Sequence, residues 1–317
     1  MPDDKINHIV WRNCLQPNSE NGVVYYDNRE TKNLKQQNGI YICVETNRQL
    51  RMEGSLQKYF NEISGYGRTN HNMFSMADSQ KAIKKLLFDK GIAMEDAYVG
   101  NYEIGLNLTV SKDCRTYLDK MRAICTARNV YYDFYVNPKY VNPRHKNERL
   151  KITGFDKVRK YFKAYDKIAE CMDRRRKIIP DGNILRIETV NLRLENCLAV
   201  NFFTPGNLIK LFEAFFRDWR TVRFERDIIT PKGTGRAKRH LCMEIINTGK
   251  EAVLAQAKGQ HKDGFLSDWE YRNIREFITK EWDAIKQSIA FVQGDEEREF
   301  RELLNVNYTL LKHEKIW

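Results

Sequence analysis

Alternating apolar and polar residues predict three β-strands, each with one buried and one open side. In NYEIGLNLTV (101–110) every second residue is apolar, and the other side carries Glu103, Gly105, Asn107 and Thr109. Glycine weakens a strand interior by about 0.5–1 kcal/mol because it has no side chain to pack and loses more chain entropy. Gly105 therefore indicates that another group comes close to the polar side of this strand.

The other two predicted strands also carry charged residues on one side. RKYFKAYDKIAE (159–170) puts two tyrosines and two lysines on the same side, namely Tyr161, Lys163, Tyr165 and Lys167. In NILRIETVNLRLE (183–195), Arg186 and Glu188 share a side. If the three strands join one sheet, their polar sides can meet on a single face.

Shorter apolar runs and capping residues predict the remaining elements of the first two thirds of the chain. Strands are expected at GVVYYD (22–27), IYICVE (40–45) and SLQKYF (55–60), and a loop is expected at GYGRTNHN (65–72). Helices are expected at DSQKAIKKLLFDKG (78–91), capped by Asp78 or Ser79 and ended by Gly91, and at SKDCRTYLDKMRAICTARN (111–129), capped by a serine.

The periodicity becomes helical after Phe203. Thr204 is a suitable helix cap with Pro205 at the first helical position, and helical patterns follow in 207–222, 266–291 and 295–311. We therefore predict an α+β fold with an antiparallel β-sheet core and flanking helices in residues 1–203. A mostly helical region, 204–317, is expected to follow.

Composition and charge narrow the class of protein. The seven cysteines are scattered without a CxxC pair, which is typical of reduced thiols in the cytoplasm. The start of the chain has no signal-peptide pattern, and no segment is apolar enough to cross a membrane. A net charge of +12 favours a polyanionic partner, nucleic acid above all.

The polar face of the predicted sheet would bring two acids next to a phenol. Glu103 and Glu188 repel each other unless a cation lies between them, and hard oxygen ligands of this kind suit Mg²⁺ or Mn²⁺. Tyr165 near such an ion and near Lys167 would be a stronger nucleophile than its usual pKa of about 10 allows. Each part also has a plain structural explanation, because one solvated face and cross-strand salt bridges are common in antiparallel sheets.

The order of three segments, NYEIGLNLTV, KYFKAYDKIAE and ILRIETVNLRLE, resembles the rolling-circle replication initiators of phages and plasmids. The similarity is greatest to the gene II-type proteins of filamentous phages and their bacterial relatives. In that family an acid on one strand precedes a tyrosine with a lysine two residues on, and an R-x-E strand follows. The corresponding residues are Glu103, Tyr165, Lys167, Arg186 and Glu188. The resemblance covers roughly residues 51–195 and includes GSLQKYFN from Gly54.

This resemblance implies a metal-dependent, site-specific endonuclease and strand transferase. It would nick single-stranded or supercoiled origin DNA, remain attached through a phosphotyrosine, and leave a 3′-OH for a host polymerase, with a host helicase as a further partner. Glu103 and Glu188 would hold Mg²⁺ or Mn²⁺. Lys163 and Arg186 would contact DNA phosphates. The basic run Arg174, Arg175, Arg176 and Lys177 is, from its residues, either a phosphate-contacting patch or a solvated hairpin edge.

Several assignments stay open on the sequence alone. Glu103 stands where the family has Asp, and the six histidines contain no His-apolar-His pair, so carboxylates alone or carboxylates with His145 would hold the metal. The nucleophile is Tyr165 in our prediction, with Tyr161 and Tyr140 as alternatives. Other tyrosines of the 130–148 segment are candidates for stacking on unpaired bases. A DNA-binding replication regulator without chemistry, or an RNA-binding enzyme, would have the same charge.

Overall fold

The protein has a mixed α/β fold, seen here in a computed structural model that describes residues 3–20, 23–28, 39–125, 131–134, 144–147 and 160–313. The strands are β1 (Gln16–Glu20), β2 (Val23–Asp27), β3 (Tyr41–Val44), β4 (Leu50–Glu53), β5 (Tyr102–Thr109), β6 (Met121–Cys125), β7 (Tyr131–Asp133), β8 (Arg144–Asn147), β9 (Lys160–Asp166), β10 (Ile184–Asn191), β11 (Arg223–Phe224), β12 (Asp227–Ile229) and β13 (Ala290–Val292). The helices are α1 (Asp3–Arg12), α2 (Leu56–Ile63), α3 (Met76–Lys90), α4 (Cys114–Lys120), α5 (Lys167–Asp173), α6 (Ala199–Phe202), α7 (Pro205–Trp219), α8 (Arg236–Thr248), α9 (Lys250–Lys262), α10 (Asp268–Glu276), α11 (Trp282–Lys286) and α12 (Asp295–His313).

The strands form antiparallel sheets. The central sheet has the order β5-β10-β9-β8, and a second four-stranded sheet has the order β1-β2-β3-β4. Two smaller sheets have the orders β11-β6-β7 and β12-β13. The three strands that the alternating pattern predicted, β5, β10 and β9, are thus neighbours in one sheet.

One face of the central sheet is packed and the other is polar. Leu108, Phe162 and Leu185 are completely buried and share a core with α4, α7 and α12, including Trp219 and Phe300. Since alternate strand residues point to opposite faces, the residues between them lie on the other side of the sheet. The core therefore fixes which face presents the candidate site.

Packing crosses the predicted division at residue 203. Phe215 and Trp219 of α7 and Leu304 of α12 belong to the same core as the central sheet. A separate core joins β12 and helices α8 to α11 around Ile228, Cys242 and Trp282. The mostly helical character after Phe203 is confirmed, but α7 and α12 pack as part of the sheet layer.

Helix ends follow local chemistry. Thr204 caps α7 with Pro205 at its first turn, and Gly91 ends α3 in the left-handed conformation, φ 72°, both as predicted. Ser75, and not Asp78 or Ser79, caps α3, because Asp78 completes a capping box with it.

Two predicted elements are wrong. SLQKYF is the start of helix α2, whose cap is Ser55 and whose apolar residues recur at helical spacing from Leu56 to Ile63, with Tyr59 buried. The helix predicted over 111–129 ends at Lys120, and the chain continues as β6, which pairs with β7 and β11. Among the described helices, none has the length and apolar character that crossing a membrane requires.

Candidate functional site

Strand register brings the charged residues of three strands together. Glu188 lies opposite Gly105 on β5 and opposite Lys163 on β9. Arg186 lies opposite Asn107 and Tyr165 in the same way. Residues directly opposite each other share a face. We define the polar face as Glu103, Asn107, Lys163, Tyr165, Arg186 and Glu188.

Glu188 is the centre of this face. Its Oε1 accepts hydrogen bonds from the hydroxyl of Tyr165 at 2.7 Å and from Nε of Arg186 at 2.5 Å. Its Oε2 accepts a bond from Nζ of Lys163 at 3.0 Å. Lys163 also contacts Oε2 of Glu103 at 2.6 Å, so one ammonium joins the two carboxylates. The prediction that Glu103 and Glu188 face the same side, near a tyrosine hydroxyl, is confirmed.

The charges shift one another's pKa values. Burial alone would raise the pKa of Glu188, but Arg186 and Lys163 outweigh burial and hold that pKa well below its usual value. Burial and the nearby charge of Glu188 raise the pKa of Glu103. Burial, together with Glu188, raises the pKa of Tyr165 well above its usual value. Glu188 is therefore a fixed anion, and Tyr165 is a phenol that keeps its proton.

Gly105 makes room for Arg186. A Cβ at position 105 would lie 2.5 Å from Nη2 of Arg186 and 3.1 Å from Cγ of Glu188. The sequence predicted that another group comes close to β5 at Gly105, and that group is the guanidinium of Arg186. Nη1 of Arg186 also donates to the carbonyl of Asn70 and to Oδ1 of Asn107, each at 3.0 Å.

The loop 65–72 covers part of the polar face. Nδ2 of Asn107 donates to the carbonyls of Asn70 and His71, at 3.3 and 3.0 Å. Arg186 is 5% exposed, so its placement favours holding Glu188 and this loop rather than contacting DNA phosphates. The sequence analysis placed Asn107 on the polar side of β5 but assigned it no role in the site. It did not identify Asn70.

Tyr165 and Tyr161 differ in access. Tyr165 is 8% exposed and its hydroxyl is bonded to Glu188. Tyr161 is half-buried on the same side of β9, with its ring centroid 5.7 Å from Nζ of Lys163. Tyr140 lies outside the described residues. Tyr161 is therefore more accessible than Tyr165.

Lys167 is not on the strand. Asp166 ends β9 and caps α5 by accepting hydrogen bonds from the backbone N–H groups of Ile168 and Ala169, so Lys167 begins the helix. Its side chain is 2% exposed and pairs with Glu170 at 2.6 Å. The expectation that Lys167 shares a strand face with Tyr165 is wrong.

A second cationic group surrounds Glu170. Arg174 contacts Glu170 at 2.8 Å, and Nε of Arg176 is buried without a hydrogen-bond partner in the described structure. Burial and the neighbouring charges of Arg176 and Lys167 lower the pKa of Lys58, on α2, to about 8. Of the predicted basic run, Arg174, Arg175 and Lys177 are exposed, although Arg174 pairs with Glu170, and Arg176 is half-buried.

The donors of the polar face are of the type that a divalent cation prefers. Glu103 and Glu188 supply hard oxygen ligands, and Mg²⁺ is commonly bound by one or two carboxylates together with substrate phosphates. The ammonium of Lys163 lies between them and would have to move aside. On β8, the backbone of His145 pairs with Ala164. The described residues contain no cluster of three or more His, Cys, Asp or Glu suited to a metal ion.

Comparisons with known proteins assign no family to the chain, so the site is interpreted from its geometry alone. The chain matches no protein-family model, and a search of curated proteins found no match either.

Proposed function

We propose that this protein is a DNA-nicking enzyme of the rolling-circle initiator type, which cuts one strand and keeps it as a phosphotyrosine. The observation that supports this proposal is the convergence of Glu103, Glu188, Lys163 and two tyrosines on one face of the central sheet. Acids, a cation and a phenol on neighbouring strands are the groups that such a transesterification needs.

Each residue has a role in this proposal. Glu103 and Glu188 would hold a divalent cation, which supplies the Lewis acidity that polarises a phosphodiester. Lys163, released from the two carboxylates, contacts a phosphoryl oxygen as a point charge. Arg186 fixes the orientation of Glu188 through their 2.5 Å contact. The tyrosine oxygen forms a bond to phosphorus as its proton passes to water, the P–O3′ bond breaks, and the leaving O3′ takes a proton from water to become a 3′-OH.

We assign the attack to Tyr161, with Tyr165 as the alternative. Tyr165 has a raised pKa, and the carboxylate that accepts its hydrogen bond has a lowered one. Proton transfer from Tyr165 to Glu188 is therefore unfavourable. We infer that Tyr165 positions Glu188 and is not the nucleophile. Tyr161 shares the face and is more accessible.

Covalent trapping tests the proposal. The wild-type chain, Tyr161→Phe and Tyr165→Phe are incubated with single-stranded DNA from candidate origins and Mn²⁺, and adducts are resolved on a denaturing gel. We expect the wild-type chain to form an adduct, Tyr161→Phe to form none, and Tyr165→Phe to retain a reduced amount. An adduct lost only in Tyr165→Phe would reverse the assignment.

Glu103→Gln is the variant that tests the acidic pair. The side chain of Glu103 is 40% exposed, so the variant is expected to fold, whereas Glu188 is buried. We expect Glu103→Gln to require more Mn²⁺ for the same adduct yield. If the yield at each Mn²⁺ concentration equals that of the wild type, Glu103 has no part in binding the ion.

One observation favours a second function, a DNA-binding replication regulator without chemistry. Lys163 already pairs with both carboxylates, and Tyr165 is buried, as in a network that only stabilises the sheet. Under this alternative no strand gives an adduct with any metal, while DNA binding persists in Glu103→Gln and Tyr161→Phe. Preference for RNA over DNA in a competition at moderate salt would contradict both functions.

A further inference from the structure

A basic cleft lies between two parts of the molecule that have separate cores. Its volume is about 840 Å³, and it is lined by the end of α7 and β11 on one side and by α8, α9 and α11 on the other. Six cationic residues and one acid line it: Arg220, Arg223, Arg226, Lys250, Lys286, Arg301 and Asp283. None of the polar-face residues is among those that line it.

Two of these cations are not paired with a carboxylate of the described residues. Arg226 and Arg301 share the buried carboxylate of Glu297, at 3.3 and 2.8 Å. Lys250 and Lys286 are exposed, and neither forms an ion pair with a carboxylate in the described part of the chain. Clefts lined by one sign of charge concentrate field lines and attract the opposite charge. The charge of this cleft therefore favours an anionic ligand.

One wall of the cleft is held in place. Arg301 donates hydrogen bonds of 2.7 Å to the carbonyls of both Arg220 and Val222. The guanidinium of Arg220 lies 4.3 Å from the ring centroid of Tyr308 on α12. A fixed wall reduces the ordering cost of binding a ligand.

The cleft also presents an aromatic ring. Phe291, on β13, lines it and is 55% exposed. Aromatic rings stack on unpaired bases in proteins that bind single strands, and basic side chains follow the backbone. An acidic peptide would satisfy the lysines but would not require a planar partner for the ring.

We propose that the basic cleft binds single-stranded nucleic acid. Lys250 and Lys286 contact backbone phosphates, and Phe291 stacks on a base. This site does not depend on nicking chemistry, because it shares no residue with the polar face. It gives the region after Phe203 a nucleic-acid-binding role under either proposed function.

Fluorescence anisotropy with labelled oligo(dT) and oligo(U), in EDTA, tests the cleft on the full chain. Lys250→Ala/Lys286→Ala is compared with Lys258→Ala/Lys262→Ala, which removes the same net charge from exposed positions of α9 outside the cleft. We expect the Lys250→Ala/Lys286→Ala variant to bind more weakly. The plot of log K against log salt should become less steep by about 1.4, because each of the two lost phosphate contacts to a single strand contributes about 0.7. The control pair should leave the slope unchanged. The ratio of the oligo(dT) and oligo(U) affinities shows which nucleic acid the cleft prefers.

Two outcomes would overturn the proposal. The first is equal slopes for the two double variants, and the second is competition by polyglutamate as effective as by oligo(dT). Phe291→Leu gives an independent measure, with an expected loss of about fivefold in affinity, equivalent to about 1 kcal/mol of stacking. Adduct formation that persists when cleft binding fails would leave the nicking proposal intact.

Discussion

The hydroxyl of Tyr165 donates a 2.7 Å hydrogen bond to the same carboxylate oxygen of Glu188 that Arg186 contacts at 2.5 Å. A phenol and a guanidinium therefore converge on one buried anion, and Lys163 binds its other oxygen. Because the hydrogen-bond partners of this anion among the described residues come from β9 and β10, Glu188 links the two strands through side chains as well as through the backbone.

Glu188→Gln should destabilise the protein strongly. The change leaves Arg186 without its carboxylate in a buried site, and breaking a buried pair by removing one partner costs about 3–5 kcal/mol. Urea unfolding followed by circular dichroism measures the change in the free energy of unfolding. Glu103→Gln is the matched control, with an expected loss of about 1 kcal/mol or less because its side chain is 40% exposed. Equal losses in the two variants would contradict the central role of Glu188.

The stability difference between wild type and Glu188→Gln should depend on pH. The pKa of Glu188 is lowered in the folded state, so its contribution is present above the unfolded pKa of about 4.3 and is lost as pH falls below that value. We expect a constant difference from pH 8 to 5. Below about pH 4 the difference should shrink by up to about 1.4 kcal/mol per pH unit. A difference that stays constant down to pH 3 would mean that Glu188 is not held as an anion.

Alternation and capping residues account for the part of the fold that was predicted. The strict period of β5 identified its buried side, and Gly91, Thr204 and Pro205 marked helix ends correctly. Helix α2 was missed because a short apolar run is compatible with either periodicity, and the cap at Ser55 decides it.

The site was predictable as a set of residues on one face but not as a network. The position of Lys163 between two acids depends on the order β5-β10-β9, which no local pattern contains. Lys167 was misplaced because the strand period was extended past Asp166, whose side chain caps a helix. No local sequence pattern distinguishes a buried lysine at the start of a helix from an exposed lysine on a strand.

Lys163→Met should strengthen the binding of a divalent cation by the acidic pair. Without the ammonium, Glu103 and Glu188 repel each other, and Mn²⁺ can take its place. We expect Mn²⁺ to raise the Tm of Lys163→Met more than that of the wild type. At 100 times the Kd the stabilisation is about 2.7 kcal/mol.

The control for Mn²⁺ binding is Lys163→Met/Glu103→Gln, which lacks one ligand. Its Tm should respond to Mn²⁺ no more than that of the wild type. Equal responses in the single and double variants would show that Mn²⁺ binds elsewhere and that the pair is not a cation site.

Gly105→Ala and Gly259→Ala should change stability in opposite directions. At position 105 the added Cβ meets the guanidinium of Arg186 at 2.5 Å, which displaces it from Glu188 and from the Asn70 carbonyl. Overpacking of this kind costs about 1–3 kcal/mol. Gly259, inside α9, has no neighbour that a Cβ would meet, so alanine there should stabilise by up to about 1 kcal/mol through helix propensity. Urea unfolding gives the change in the free energy of unfolding, and its sign, for each variant. If Gly105→Ala stabilises the protein, the close approach of Arg186 is not the reason for glycine at this position.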